Sequence, residues 1–122
     1  MSKVSDFILG RLRGCGYALK GALLLLKTEP SIQVQAGIAV IITILGFYFQ
    51  ITTTEWMLQI FAIGLVMSIE GVNTTVEAVA DFIHPDFHDK IGFIKDVAAG
   101  AVFIAAVIAV IIGLIIYIPY FV

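Results

Sequence analysis

An all-α integral membrane protein is the fold class the sequence predicts: an amphipathic surface helix at the N-terminus followed by three transmembrane helices. Three observations predict it. Of 122 residues, 61% are hydrophobic and only 13% are charged, with a mean hydropathy of +1.08; a soluble domain of this size cannot hide so much apolar surface. The charges are clustered, leaving uncharged runs of 25 residues from Pro30 to Thr54, 14 from Trp56 to Ile69 and 26 from Val97 to Val122. A spanning helix needs ~20 mostly apolar residues, so two runs qualify outright and the third qualifies if its helix carries Glu70 into the bilayer. Finally, the first 27 residues alternate polar and apolar positions with a helical period. This composition excludes a secreted disulfide scaffold, a nucleic-acid binder and a soluble enzyme.

The first element covers residues 3–27. Lys3, Asp6, Arg13, Tyr17, Lys20 and Lys27 mark one side, and Val4, Ile8, Leu12, Cys15, Leu19, Ala22 and Leu26 the other, as in a helix lying on a membrane surface. Arg11 falls at the edge of the apolar stripe, where it either snorkels to headgroups or meets a ligand phosphate. Arg11 and Arg13 also interrupt the apolar stretch, which argues against a signal peptide. Cys15 is the single cysteine, and its reading is interfacial packing.

Pro30 suits a helix first turn, because the N–H it lacks has no intrahelical acceptor there; the first span covers residues 31–49. Thr52 followed three residues later by Glu55 is a capping-box pattern. It opens a second long helix over residues 55–83, which ends near His84 because Pro85 disfavours helical geometry before it. A charged turn from Asp86 to Asp96 then leads into a third span over residues 97–118, closed by Pro119. Five of the seven Lys and Arg residues precede the first span, none lies between Gln50 and Glu55, and Lys90 and Lys95 lie in the second loop. The N-terminus and second loop are therefore expected in the cytoplasm.

The chemistry gathers on the second long helix. At ~100° per residue, Glu70, Asn73, Glu77, Asp81 and His84 share an arc of roughly 80°. Glu70 lies 15 residues beyond Glu55, about 22 Å along the helix. Glu77 and Asp81 follow toward the cytoplasmic interface, and the same topology brings Glu29, Lys95 and Asp96 to that level. Carboxylates beside a lysine suit a magnesium-bound polyphosphate, and a deeper carboxylate suits a general base for a lipid hydroxyl. No GxxxxGK[ST] loop is present, and Gly14-Cys15-Gly16 is too weak to stand for one. His84 and His88 have a metal-compatible spacing that Pro85 spoils, and Asn73-Thr74-Thr75 is a glycosylation sequon only outside a membrane.

Glu70-Gly-Val-Asn73-Thr-Thr-Val-Glu77-Ala-Val-Ala-Asp81, followed by Lys95-Asp96-Val-Ala-Ala-Gly-Ala-Val, resembles the signature of the prokaryotic diacylglycerol kinase family, which includes undecaprenol kinases. Tyr17, Lys20-Gly21 and Glu29 also stand at family-like positions, so that the resemblance covers nearly the whole chain. It implies a homotrimer in the bacterial cell membrane, with active sites built between protomers. It further implies that Glu29 and Glu77 bind the Mg²⁺ of MgATP, that Glu70 deprotonates the lipid hydroxyl, and that Lys95 holds the phosphates. Asn73 would orient the reacting groups, Asp81 and Asp96 would contact the nucleotide, and Arg11 and Tyr17 are further candidates for that role. The implied reaction is phosphorylation of diacylglycerol to phosphatidic acid; the alternative is undecaprenol to undecaprenyl phosphate, toward which Lys95-Asp96-Val-Ala-Ala-Gly-Ala-Val and Pro119-Tyr120 lean. Thr75 stands where the family commonly has Ala or Ser, and Ala80 where it commonly has a larger aliphatic or an acid. Read without the resemblance, intramembrane carboxylates also fit a small ion-coupled transporter, but their clustering at one surface argues against it. A structural helper subunit packed through Ala101, Ala105, Ala109 and Gly113 is a further alternative.

Overall fold

A computed structural model describes residues 2–122 as four helices in sequence: α1 (Lys3–Thr28), α2 (Pro30–Phe49), α3 (Thr53–Ile83) and α4 (Asp89–Phe121). The last three are long and apolar enough to cross a membrane. Ser2 caps α1, its side chain accepting from the Ser5 amide at 3.2 Å. Glu29 alone separates α1 from α2, and Pro30 takes the first turn of α2. At the other end of α2, Gln50 adopts a left-handed φ of 54°, and the Ile51 amide reaches back to the Gly46 carbonyl at 3.1 Å. A non-glycine residue adopts that conformation at a cost of about 1–2 kcal/mol, offset here by satisfying carbonyls that the helix end leaves open.

The expected capping box is present. The Glu55 amide donates to Thr52 Oγ1 at 3.2 Å, and the Thr52 amide donates to Glu55 Oε1 at 2.9 Å. Because Thr52 is the cap, α3 begins at Thr53, two residues before the expected start. It ends at Ile83, with His84 as its cap.

The last helix departs from expectation at both ends. The turn expected over Asp86 to Asp96 is short, because α4 begins at Asp89 rather than near Val97. His88 Nδ1 accepts the Lys90 amide at 3.1 Å and Asp89 sits in the first turn, which together stabilise a helix start within the charged segment. Pro119 does not close the helix, which runs on to Phe121. A proline this near the end removes one N–H from the final turn, and side chains hold that turn in place: Tyr120 donates to Glu55 Oε1 at 2.6 Å, and the Phe121 ring lies 5.0 Å from that of Phe49.

α3 and α4 form the most extensive helix pair, α2 packs on α3, and α1 packs on α2. The buried apolar cluster, Ile51, Ile116 and Tyr117 with Phe49 and Trp56 against it, lies at the α2–α3 turn. Tyr117 is the polar joint of that end, its hydroxyl 2.5 Å from Gln59 Oε1 and 3.0 Å from the Ile42 carbonyl, tying α4 to α3 and α2. Trp56 lies so close to Gly46 that a Cβ there would meet its ring at 2.7 Å. A cavity of about 460 Å³ opens between the three spanning helices, bordered by Gln35, Gln59, Ala109, Gly113 and Tyr117. The opposite end, where α1 meets α2, carries the polar residues.

Candidate active site

The arc on α3 is built as its spacing predicts, and its members differ in environment. Asn73 is buried, with 8% of its surface exposed, whereas Glu70 is half-buried and Glu77 and Asp81 are exposed. One helical turn separates Asn73 from Glu77, so the Asn73 Nδ2 donates to Glu77 Oε1 at 3.2 Å. Among the described residues, the buried Asn73 Oδ1 has no hydrogen-bond partner. A buried amide oxygen left open costs about 1–3 kcal/mol, so the position is suited to a group that arrives with a proton to donate. Among the described residues, the Glu70 carboxylate has no hydrogen bond or ion pair. Thr74 turns its hydroxyl onto the Glu70 carbonyl at 3.1 Å, keeping a polar side chain within the helix's own backbone.

Because α4 starts at Asp89, Lys95 and Asp96 sit on a helix rather than in a turn. Lys95 Nζ reaches Asp81 Oδ1 at 2.5 Å and joins α4 to the end of the arc. Asp96 is exposed. His84, the last member of the arc, turns away from it: its Nδ1 lies 2.7 Å from the Asp86 carbonyl, and its ring lies 5.5 Å from that of His88.

Glu29 occupies the corner between α1 and α2, half-buried, and its side chain makes no capping hydrogen bond. That corner approaches α3 next to Glu70, since a Cβ on Gly71 would stand 3.0 Å from Leu25 Cδ1. Arg11 and Tyr17 are exposed on α1; the Arg11 guanidinium lies 5.7 Å from the Phe7 ring centroid, and neither residue is bonded to the arc among the described residues. The two positions that depart from the expected pattern are structurally quiet. Thr75 donates to the Gly71 carbonyl at 3.1 Å, and Ala80 is buried at 4% exposure, where a small side chain suits the close packing.

The donor set fits a hard divalent cation. Among the described residues no three His, Cys, Asp or Glu side chains converge as a complete cage. Mg²⁺ does not require one, because it takes one or two carboxylates and fills its octahedron with water and phosphate oxygens. Glu29, whose side chain makes no capping hydrogen bond, and Glu77, exposed on the arc, present carboxylates of the type such an ion takes. One residue passed over in the sequence is Gln33, whose Nε2 donates to the Leu26 and Lys27 carbonyls at 3.1 and 3.0 Å. A glutamine three residues after a proline that follows a long helix is the signal that marks it.

Three helices long and apolar enough to span a membrane, with a carboxylate and amide face toward one end, define a membrane protein of the polytopic helical class with a candidate polar site. The chain belongs to the prokaryotic diacylglycerol kinase family, which it matches over residues 16–117. It is 40% identical over 93 residues to the undecaprenol kinase of Bacillus subtilis (strain 168), covering 76% of each chain. It is 32% identical over 101 residues to the diacylglycerol kinase of Escherichia coli (strain K12), covering 82% of each, and 35% identical over 89 residues to that of Haemophilus influenzae, covering 73% of this chain and 75% of the relative. The chain is thus a lipid kinase, and family membership replaces the transporter and helper-subunit readings.

Proposed function

We propose that the chain transfers the γ-phosphate of MgATP to the hydroxyl of a membrane lipid at the cytoplasmic face of the bacterial cell membrane. The observation that carries the reading is the pairing of an unpartnered, half-buried Glu70 with a buried Asn73 tied to Glu77 on one helix face. Glu70 takes the proton of the lipid hydroxyl as its oxygen attacks the γ-phosphorus. A bond forms between that oxygen and phosphorus, the bond from phosphorus to the bridging oxygen breaks, and ADP leaves. Asn73, tied through its Nδ2 to Glu77, orients the reacting groups beside Glu70. Lys95 turns from Asp81 toward the phosphates, supplying charge where it accumulates in transfer. Glu29 and Glu77 hold Mg²⁺, which supplies neutralisation of phosphate charge when bound. Asp81 and Asp96 contact the nucleotide, with Arg11 and Tyr17 approaching it from the surface helix.

The lipid favoured is undecaprenol, on the 40% identity to the undecaprenol kinase. Diacylglycerol is the second reading, favoured by the family's own description and the 32% identity to the Escherichia coli enzyme. The active unit is a homotrimer with sites shared between protomers, supported by the depth of Glu70, which is only half-buried on a single chain; a carboxylate left facing lipid ~22 Å along a spanning helix costs several kcal/mol, which neighbouring protomers relieve by enclosing it. The test is phosphate transfer from γ-labelled ATP by the purified protein to undecaprenol and to diacylglycerol in mixed micelles, with crosslinking of the same sample. Faster labelling of undecaprenol supports the reading; faster labelling of diacylglycerol selects the second lipid; labelling of neither rejects the lipid assignment. Active protein found only as monomers rejects the trimer.

A further inference from the structure

The corner that carries Glu29 has a weakness that another side chain repairs. Glu29 ends α1 and precedes α2 at once, with φ −100° and ψ 111°, so the direction of its carboxylate depends on one residue's torsions. A helix end leaves its last four carbonyls without intrahelical donors. In α1 these begin at Leu25, whose carbonyl takes the Glu29 amide at 3.0 Å. The carbonyl of Leu26 would next take the amide of residue 30, but that residue is Pro30 and has no N–H. Gln33 supplies the missing donor, its Nε2 reaching the Leu26 carbonyl at 3.1 Å and the Lys27 carbonyl at 3.0 Å. The Gln33 amide donates to the Glu29 carbonyl at 3.0 Å. Gln33 thus holds the chain on both sides of Glu29. The last turn of α1 so fixed lies over α3 beside Glu70, at the point where Gly71 leaves room for Leu25.

We propose that Gln33 is a positioning residue for the metal site: its side-chain amide locks the α1–α2 corner and so holds the Glu29 carboxylate in the orientation that binds Mg²⁺. This rests on the assignment of Glu29 as a metal ligand. Groups that orient a ligand typically contribute 10- to 100-fold in metal affinity. In the full-length protein, Gln33→Leu is expected to raise the Mg²⁺ concentration for half-maximal rate roughly 10-fold, with the rate recovering at saturating metal. Mn²⁺ binding beside a non-hydrolysable ATP analogue, followed by electron paramagnetic resonance, is expected to weaken by the same factor. Gln33→Glu keeps the length and polarity but replaces the donor with a charge that the carbonyls repel, and it should reproduce the shift. Gln33→Arg brings long donors back to the helix C-terminus and should restore wild-type metal dependence. A Gln33→Leu or Gln33→Glu protein with unaltered Mn²⁺ affinity, or one whose rate falls equally at all metal concentrations, overturns the proposal. Glu29→Gln separates the two layers. If it abolishes Mn²⁺ binding while the Gln33 variants bind normally, the ligand assignment stands and the positioning role falls; if it binds Mn²⁺ normally, the ligand assignment itself fails.

Discussion

Lys95 Nζ lies 2.5 Å from Asp81 Oδ1 and links the start of α4 to the end of the α3 arc, with 37% and 60% of the two side chains exposed. An ion pair this exposed contributes at most about 1 kcal/mol to folding. In the proposed reaction its consequence is functional: Asp81 would hold the lysine at the level of the carboxylates until a phosphate competes for it.

Replacing Lys95 therefore separates stability from catalysis. Lys95→Met should leave thermal unfolding within about 1 kcal/mol of wild type while lowering kcat/KM for ATP by roughly 10²-fold or more, as when one preorganised donor is removed from a transition state. Both nucleotide affinity and turnover should fall, because the cation acts in ground and transition states alike. Nucleotide titration and initial rates measure the two effects.

Glu70 should behave differently, because its carboxylate has no partner among the described residues to lose. Glu70→Gln is expected to lower kcat by roughly 10²-fold or more with little change in nucleotide affinity, the pattern of a lost general base. A variant that binds MgATP far more weakly but turns over normally once nucleotide is saturating would move Glu70 into the nucleotide site.

The metal carboxylates can be tested by isosteres. Glu77→Gln keeps an oxygen able to accept from Asn73 Nδ2, now at 3.2 Å from Glu77 Oε1, so assembly should persist while phosphate transfer is abolished. Glu29→Gln should do the same. Substantial metal-dependent activity in either, assayed across a Mg²⁺ series, would remove that residue from the metal site.

At the opposite end, Tyr117→Phe deletes the hydroxyl that lies between Gln59 Oε1 and the Ile42 carbonyl. Hydrogen bonds between spanning helices are worth about 0.6 kcal/mol on average and up to ~1.7, so a loss of that order is expected in reversible unfolding in micelles. Adding Gln59→Leu to the same protein should recover part of it, because the orphaned amide is then gone. Lipid phosphorylation at saturating substrate should change little in both.

Gly46→Ala probes close packing in the same region. The new methyl would stand 2.7 Å from Trp56 Cη2 and 2.9 Å from Trp56 Cζ2, and a tryptophan ring cannot yield as a flexible chain end does. Overpacking of this kind costs about 1–3 kcal/mol, measurable as a lowered unfolding midpoint. Trp56→Phe in the same chain should relieve part of that loss.

What the sequence determined by itself was whatever depends on neighbours along the chain. Helical period and uncharged length specify the three spanning helices. The Thr52 and Glu55 spacing specifies the capping box, and Pro85 the end of α3. The same local period places Glu70, Asn73, Glu77 and Asp81 on one face, because residues three and four apart on a helix are stacked neighbours. Tertiary structure decided what depends on distant partners. Charge alone suggests a turn up to Asp96, yet α4 starts at Asp89 with a His88 cap. Pro119 reads as a stop, yet its turn is held by Tyr120 on Glu55, 65 residues away, and by Phe121 against Phe49. Lys95 finds Asp81 across 14 residues because α3 and α4 pack along one another, and Tyr117 meets Gln59 and Ile42 across 58 and 75. Periodicity carries no information about such pairings, since it says which side of a helix is polar but not which helix that side will face.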